Sequence, residues 1–144
     1  MTIVNQILQT KGNQVYTVLP EATVFEALQI MADKNIGSLV VIQDEKVAGI
    51  LSERDYARKI VLQGKSSRET HVQEIMTREV KTVDPETSVT KCMELMTDKR
   101  IRHLPVLDGG RLVGIISIGD VVKSIINEQE NIIHHLEGYI TGQV

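Results

Sequence analysis

An internal repeat constrains the fold of this chain more than any other feature. When the sequence is shifted by 65 positions, residues 15–60 align with residues 80–125 without a gap. Identical pairs include Val24 and Val89, Gly49 and Gly114, and Asp55 and Asp120. A unit of this length buries little core on its own, so we expect the two repeats to pack against each other as a pseudo-two-fold pair.

Each repeat shows the same order of predicted elements. An extended segment, YTVLP or KTVDP, precedes a helix whose apolar residues recur at i, i+3, i+4 and i+7. A hairpin follows, with its turn at Asp44-Glu45 in the first repeat and at Asp108-Gly109-Gly110 in the second. A further helix begins near Glu53 or Ile118. The sequence therefore predicts an α/β (α+β) fold of two β-α-β-β-α repeats.

The repeat also suggests domain boundaries. We expect the first repeat, with an N-terminal helix, at 1–63, a linker and lead-in at 64–75, the second repeat at 76–137 and a tail at 138–144. The polar stretch GKSSRETH marks the linker. The last helix should stop near Gly138. Its excess of apolar residues leaves two interpretations open: packing on the N-terminal segment TIVNQIL, or a dimer interface.

Composition limits the classes of function. The net charge of −3 argues against a general nucleic-acid binder, and no stretch approaches the ~20 apolar residues that span a membrane. The single cysteine, Cys92, fits a reducing cytoplasm. No His, Cys and acidic residues have the spacing of a zinc site, and no phosphate-binding glycine motif is present. We therefore expect no metal and no catalysis.

The motif Ser-x-x-Asp ends the hairpin of both repeats, as Ser52…Asp55 and Ser117…Asp120. One interpretation is a capping box, in which serine and acid satisfy the first amides of a helix. The other is a ligand site. A helix that begins after a buried strand favours anions, a serine hydroxyl can donate to a phosphate, and a carboxylate can accept hydrogen bonds from a ribose.

The doubled motif, with NIGSLVVI…VAGILSERDYARK and RIRHLPVL…RLVGIISIGDVVK around it, resembles a tandem pair of cystathionine-β-synthase (CBS) domains, a Bateman module. The resemblance covers roughly residues 4–130. It implies an adenosine nucleotide such as AMP, ATP or NAD in clefts between the repeats, and a disc-shaped homodimer. We expect a stand-alone regulatory sensor acting on a protein that the sequence does not identify. A ligand-independent dimerisation or interaction scaffold is the alternative, and a small nucleotide enzyme is a third hypothesis.

The resemblance implies two sets of nucleotide-binding residues. The first set is Thr17, Val18, Ile36, Gly37, Ser38, Leu39, Ser52, Arg54 and Asp55. The second set is Thr82, Val83, Ile101, Arg102, His103, Leu104, Pro105, Ser117, Gly119 and Asp120. The aspartates would hold ribose hydroxyls, the serines would lie near phosphate or ribose, and the other segments would border the adenine.

The two predicted sites are unequal. Arg54 could clamp a phosphate in the first, whereas Gly119 would let a phosphate approach the backbone in the second. The strand starts differ as well, because Gly37-Ser38 is small and neutral while Arg102-His103 is large and basic. We therefore expect different affinities at the two sites.

Overall fold

The elements alternate between helices and hairpins in the order that the repeat predicts. A computed structural model describes residues 1–140. In the first part of the chain the elements are α1 (Val4–Lys11), β1 (Thr17–Val18), α2 (Val24–Lys34), β2 (Ser38–Gln43), β3 (Lys46–Ser52), α3 (Glu53–Tyr56) and a π-helical turn (Ala57–Val61). They are followed by α4 (Val72–Ile75), α5 (Val89–Lys99), β4 (His103–Asp108), β5 (Arg111–Ser117) and α6 (Ile118–Ile140). The predicted α/β fold of two repeats is confirmed.

The strands form two separate sheets, one in each repeat. In the first, β1 runs parallel to β2, and β2 pairs antiparallel with β3. In the second, β4 pairs antiparallel with β5. The lead-in to the second sheet makes only an isolated parallel bridge, between Val83 and Val106. Both hairpins have equivalent registers, with Leu39 opposite Leu51 and Leu104 opposite Ile116.

Both predicted hairpin turns are present, with different residues at their tips. Asp44 and Glu45 have φ of 52° and 64°, and Gly109 and Gly110 have φ of 59° and 84°. Two successive positive φ values give the turn a twist that matches the twist of the strands. Glycine adopts this conformation freely, whereas the acidic pair carries a modest conformational cost.

Each repeat has its own hydrophobic core, and each core is completed by a helix from outside the repeat. The first core comprises Val18, Val24, Ala27, Met31, Leu39, Val41, Leu51, Ile60, Val72, Ile75 and Met76. The second core comprises Val4, Ile7, Leu8, Val83, Val89, Cys92, Met96, Leu104, Val106, Ile116 and Val121. Helix α1 precedes the first repeat yet packs in the second core, and α4 precedes the second repeat yet packs in the first. The predicted boundaries along the chain stay predictions, but α1 does not pack with the repeat to which we assigned it.

Two glycines make this crossed packing possible. A Cβ atom on Gly49 would lie 2.7 Å from Met76 Sδ and 2.9 Å from the Thr77 carbonyl oxygen. A Cβ atom on Gly114 would lie 2.7 Å from Leu8 Cδ2. The equivalent glycines therefore let the residues at the end of each crossing helix lie directly against the hairpin.

Helix α6 begins where the repeat predicts and spans Ile118–Ile140, up to the last residue that the structure describes. Gly138 itself lies within the helix and is not among the positive-φ glycines, the conformation in which a glycine commonly stops a helix, and the predicted end near this residue stays a prediction. Within residues 1–140, no helix is both long enough and apolar enough to cross a membrane.

Candidate functional site

The first Ser-x-x-Asp motif forms the capping box that one interpretation predicts. The Asp55 amide donates to Ser52 Oγ at 3.2 Å, and the Ser52 amide donates to Asp55 Oδ2 at 3.0 Å. The Ser52 hydroxyl also donates to Asp55 Oδ2 at 3.1 Å. These bonds fix both side chains at the junction of β3 and α3.

The other oxygen of Asp55 ties three segments together. Thr77 donates its hydroxyl to Asp55 Oδ1 at 3.1 Å, and the Lys59 ammonium lies 3.1 Å from the same oxygen. Lys59 also donates to the Ile75 carbonyl at 2.9 Å. The Asp55 carboxylate is buried and has a donor on each oxygen, so a ribose hydroxyl would have to share or replace one of these donors.

The second motif forms the same capping box with a different outer partner. The Ser117 amide donates to Asp120 Oδ2 at 2.8 Å, and the Asp120 amide donates to Ser117 Oγ at 3.2 Å. The Lys11 ammonium donates to Asp120 Oδ2 at 2.6 Å and to the Ile115 carbonyl at 2.8 Å. Burial raises the pKa of Asp120, but the Lys11 ammonium and the Ser117 amide outweigh it and hold this pKa below its ordinary value.

The backbone amides that begin α3 and α6 are already partly used. The Glu53 amide donates to the Gly37 carbonyl at 3.1 Å, and the Ile118 amide donates to the Arg102 carbonyl at 2.8 Å. The serine hydroxyls occupy a further amide in each helix. An anion bound beside these helices would therefore depend mainly on cationic side chains rather than on free helix amides.

Two cavities lie between the repeats. The Asp55 cleft, of about 420 Å³, is lined by Gly37, Ile50, Ser52, Glu53, Arg54, Asp55, Thr77, Glu79, Val80, Lys81, Arg100, Ile101, Arg102 and His103. The Ser117 cleft, of about 340 Å³, is lined by Lys11, Gln14, Val15, Tyr16, Asn35, Ile36, Gly37, Ser38, His103, Ile115 and Ser117. Both volumes fall within the range of small-molecule sites.

Each cleft combines predicted residues of both repeats. The Asp55 cleft joins Ser52, Arg54 and Asp55 of the first repeat to Ile101-Arg102-His103 of the second. The Ser117 cleft joins Ser117 of the second repeat to Ile36-Gly37-Ser38 of the first. The start of each strand, β2 and β4, reaches the cleft beside the other repeat, and Gly37 and His103 line both clefts. Whether these residues bind a ligand stays a prediction.

Several predicted residues line neither cleft. Leu39, Leu104 and Pro105 are buried, and Val18 and Val83 belong to the two cores. Thr82 and Val83 border a separate groove beside Lys91, and Thr17 and Gly119 are exposed and are not among the lining residues of either cleft. Asp120 lies beside the Ser117 cleft, in contact with two residues that line it, Lys11 and Ser117.

Arg54 lies in the cleft but is already engaged by the opposite repeat. Its guanidinium donates to the Arg100 carbonyl at 3.0 Å, at the left-handed residue that ends α5. Arg54 lines the Asp55 cleft together with Lys81 and Arg102. The predicted phosphate clamp is therefore placed by a contact between the repeats.

The sequence reasoning missed the lead-in residues on the far wall of each cleft. Residues 79–81 line the Asp55 cleft, and Gln14, Val15 and Tyr16 line the Ser117 cleft. These triplets are equivalent under the 65-residue shift, which is the signal that could have identified them. Lys11 and Thr77 were missed because neither belongs to the aligned segments.

His103 borders both clefts. Burial lowers its pKa, and the cations Lys11 and Arg102 lower it further against the opposing effect of Asp120. The imidazole is therefore neutral at pH 7 and can accept or donate hydrogen bonds in either cavity. Across the part of the chain that the structure describes, no group of three His, Cys, Asp or Glu side chains could hold a metal ion.

The fold and its two interfacial clefts define a tandem-repeat module, and comparison with known proteins identifies its family. The family model of the CBS domain matches residues 4–62 and again residues 72–127. The chain therefore belongs to the CBS domain family and carries two CBS repeats, as its sequence resemblance predicted.

Relatives cover nearly the whole chain. The CBS domain-containing protein CBSX3, mitochondrial, of Arabidopsis thaliana is 41% identical over 150 residues, which span 98% of this chain and 73% of the relative. A solved protein with CBS domains from Burkholderia ambifaria MC40-6 is 53% identical with a TM-score of 0.85, covering 89% of this chain and 96% of that one. The CBS domain pair of protein MJ0100, solved with methylthioadenosine and S-adenosyl-L-methionine, is 28% identical with a TM-score of 0.79, covering 89% and 98%.

Proposed function

We propose that this chain is a regulatory module that binds an adenosine ligand between its two CBS repeats. The observation that carries the proposal is the Asp55 cleft, where the Ser52–Asp55 pair shares one cavity with Arg54, Lys81 and Arg102. A carboxylate can accept hydrogen bonds from ribose hydroxyls, and guanidinium and ammonium groups bind phosphate. Family membership and the adenosine ligands bound by the pair of MJ0100 support the same class of ligand.

The charge of the Asp55 cleft limits the number of phosphates. Four cations line it, Arg54, Lys81, Arg100 and Arg102, and three acids oppose them, Glu53, Asp55 and Glu79. The small surplus of positive charge favours a nucleoside monophosphate or a dinucleotide over a triphosphate, because each further unneutralised phosphate charge meets repulsion from the acids. We therefore expect AMP or NAD to bind more tightly than ATP.

The Ser117 cleft is the weaker site for phosphate in this proposal. Lys11 is the one Lys or Arg among its lining residues, and its ammonium is already bound to Asp120. Tyr16 offers an aromatic surface on which a base could stack. We expect this cleft to take an adenosine ligand with little or no phosphate.

The regulatory signal arises at Asp55. A ribose hydroxyl would replace the Thr77 hydroxyl on Asp55 Oδ1, and Thr77 also forms a backbone bridge with Ile50. The segment after Thr77 would then adjust against the first repeat. A ligand can shift the two repeats only by its difference in affinity for the two arrangements, and a partner protein would sense the shift.

Calorimetric titration with AMP, NAD and ATP tests the proposal, using protein unfolded and refolded to remove copurified nucleotide. Asp55→Ala should weaken AMP binding about 30- to 150-fold, which corresponds to about 2–3 kcal/mol for charge-assisted hydrogen bonds. Asp120→Ala should have a much smaller effect. Glu86→Ala, an exposed carboxylate outside both clefts, is the control and should bind like the unaltered chain.

Three outcomes would contradict this assignment. Equal losses of AMP affinity from Asp55→Ala and Asp120→Ala would contradict the expected difference in affinity between the two clefts. No heat and no thermal stabilisation up to millimolar AMP, NAD and ATP would favour the ligand-independent scaffold. Turnover of the nucleotide would favour an enzyme, a role we do not propose.

A cytoplasmic location is part of the proposal, because the single Cys92 is buried and unpaired.

A further inference from the structure

The two equivalent aspartates differ in their access to the clefts. Asp55 lines its cleft together with Ser52 of the same capping box. Asp120 is not among the residues that line the Ser117 cleft, although Ser117 is. Both capping boxes have the same reciprocal bonds from the backbone amides to the side chains, so the boxes themselves do not cause the difference. Another residue must separate Asp120 from its cavity.

The residue that separates them is Lys11. Its ammonium lies 2.6 Å from Asp120 Oδ2 and donates to the Ile115 carbonyl at 2.8 Å, and Lys11 itself lines the cleft. Asp120 Oδ1 accepts no hydrogen bond from within residues 1–140, but the residue does not contribute to the cavity wall. A ribose that enters this cleft therefore meets the ammonium before the carboxylate.

In the first repeat the lysine lies away from the cavity. Lys59 pairs with Asp55 at 3.1 Å and donates to the Ile75 carbonyl at 2.9 Å, yet it is not a lining residue of the Asp55 cleft. Asp55 is thus paired and still borders its cavity. Under the 65-residue shift the place of Lys59 is taken by Ser124. The second repeat lacks that lysine, and its aspartate pairs instead with one that lines the cleft.

The fold keeps Lys11 in this position. Lys11 is the last residue of α1, and Val4, Ile7 and Leu8 of the same helix are buried in the second core. The backbone of Lys11 is therefore fixed, and its side chain, 34% exposed, is the part that can move. A ribose hydroxyl that binds Asp120 must first displace the ammonium from an ion pair and a hydrogen bond.

We propose that Lys11 determines the ligand specificity of the Ser117 cleft by making it unable to distinguish ribose from deoxyribose. The inference rests on the proposed function, because it concerns which adenosine ligand this cleft accepts. While Lys11 holds Asp120, a ligand depends on other lining groups, such as the Tyr16 ring and the His103 imidazole. The cleft therefore accepts adenosine and 2′-deoxyadenosine equally well.

NMR titration with adenosine and with 2′-deoxyadenosine tests this specificity. The ring signals of Tyr16 report on the Ser117 cleft, because Tyr16 lines this cleft and not the Asp55 cleft. In the unaltered chain the two dissociation constants should be equal. Lys11→Ala should tighten adenosine binding about 10-fold, because a charge-assisted hydrogen bond to Asp120 becomes available, and should change 2′-deoxyadenosine binding much less.

Three further variants separate this role from a structural one. Lys46→Ala removes an exposed lysine outside both clefts and should leave both dissociation constants unchanged. Lys11→Arg keeps a cation beside Asp120, so the cleft should still bind both nucleosides equally. Adding Asp120→Ala to Lys11→Ala should abolish the new preference for adenosine, because the preference depends on this carboxylate.

The Asp120 carboxyl gives a readout that needs no ligand. The Lys11 ammonium lowers the pKa of Asp120, so this pKa should rise in Lys11→Ala and stay low in Lys11→Arg. Carboxyl NMR signals followed over pH measure it. An unchanged pKa in Lys11→Ala would show that the ammonium does not hold the carboxylate, and it would overturn the inference.

The remaining outcomes distinguish this inference from the proposed function. A preference for adenosine in the unaltered chain, or no new preference in Lys11→Ala, would overturn the inference even where AMP binding remains sensitive to Asp55→Ala. Absence of that AMP binding would contradict the proposed function itself. No response of Tyr16 to either nucleoside in any variant would overturn the inference and the adenosine site in the Ser117 cleft, but not the site in the Asp55 cleft.

Discussion

The two clefts have equivalent capping boxes, but different donors bind the aspartate and the hairpin carbonyl beside each one. At the Asp55 cleft, the Thr77 amide donates to the Ile50 carbonyl at 2.9 Å and the Thr77 hydroxyl donates to Asp55. At the Ser117 cleft, the single Lys11 ammonium donates to the equivalent Ile115 carbonyl and to Asp120. The flexible Lys11 side chain thus takes the place of two Thr77 donors, the amide and the hydroxyl, and Thr77 belongs to a segment that a backbone bridge holds. Asp120 can be released by moving a lysine side chain, whereas the segment that holds Asp55 is fixed to the hairpin.

The largest expected difference is in the stability contributed by the two aspartates. The Asp55 side chain is 10% exposed and pairs with Lys59, so Asp55→Ala should lower the free energy of unfolding by about 3 kcal/mol. The Asp120 side chain is 25% exposed, so Asp120→Ala should lose about 1 kcal/mol, mainly as a helix cap. Urea unfolding measures both values. Equal losses would show that the interactions of the two aspartates contribute equally to stability.

The paired glycines sharpen the same contrast. An added Cβ at Gly49 meets a backbone carbonyl as well as Met76, whereas at Gly114 it meets only the side chain of Leu8. We expect Gly49→Ala to cost about 2–3 kcal/mol and Gly114→Ala about 1 kcal/mol, because a leucine side chain can move and a bridged backbone cannot. Thermal unfolding compares them directly. A larger loss from Gly114→Ala would show that α1 is the more rigid of the two crossing helices.

Removing the Lys11 ammonium should have a smaller effect on stability, and this effect should depend on pH. Lys11→Met should lower stability at pH 7 by about 1 kcal/mol, the usual contribution of a partly exposed ion pair. The pKa of Asp120 is lowered in the fold, so this stability is present above the unfolded pKa of about 3.9 and is lost as pH falls through the folded value. Urea unfolding at several pH values should show the two chains converging in acid. A constant difference would mean that Lys11 acts only by packing.

The remaining effect concerns His103, which both clefts share, and it is absent at pH 7. Its pKa lies below the ordinary value of 6.5 because of burial, Lys11 and Arg102. The unfolded chain therefore binds a proton first, and stability should fall as pH drops below 6.5, by at most about 1.4 kcal/mol per pH unit. His103→Gln should remove this slope, and the exposed His135→Gln should not. An unchanged slope in His103→Gln would place the titration elsewhere.

The repeat made much of this architecture predictable. The capping residues, the hairpin turns and the starts of α3 and α6 follow from local rules that act within a few residues. The membership of each cleft did not follow. An alignment of Ser38 with His103 shows that they are equivalent, but it does not show which of them lines the same cleft as Ser52.

The outer partners of the aspartates were unpredictable for a similar reason. Lys11 is 109 residues from Asp120 in sequence, and no periodic pattern connects them. Helix α4, four residues long, is too short to show an amphipathic period. Its position in the first core depends on tertiary packing, which overrides weak local preference.

The crossing of α1 into the second core has a consequence for the order in which the protein can be made. Val4, Ile7 and Leu8 share a core with Leu104, Ile116 and Val121, which are synthesised about 100 residues later. At about 5–20 residues per second, the apolar side of this helix stays uncovered for roughly 5–20 seconds. The first repeat and α4 can assemble during that interval. Helix α1 is therefore covered only after the second repeat has been synthesised.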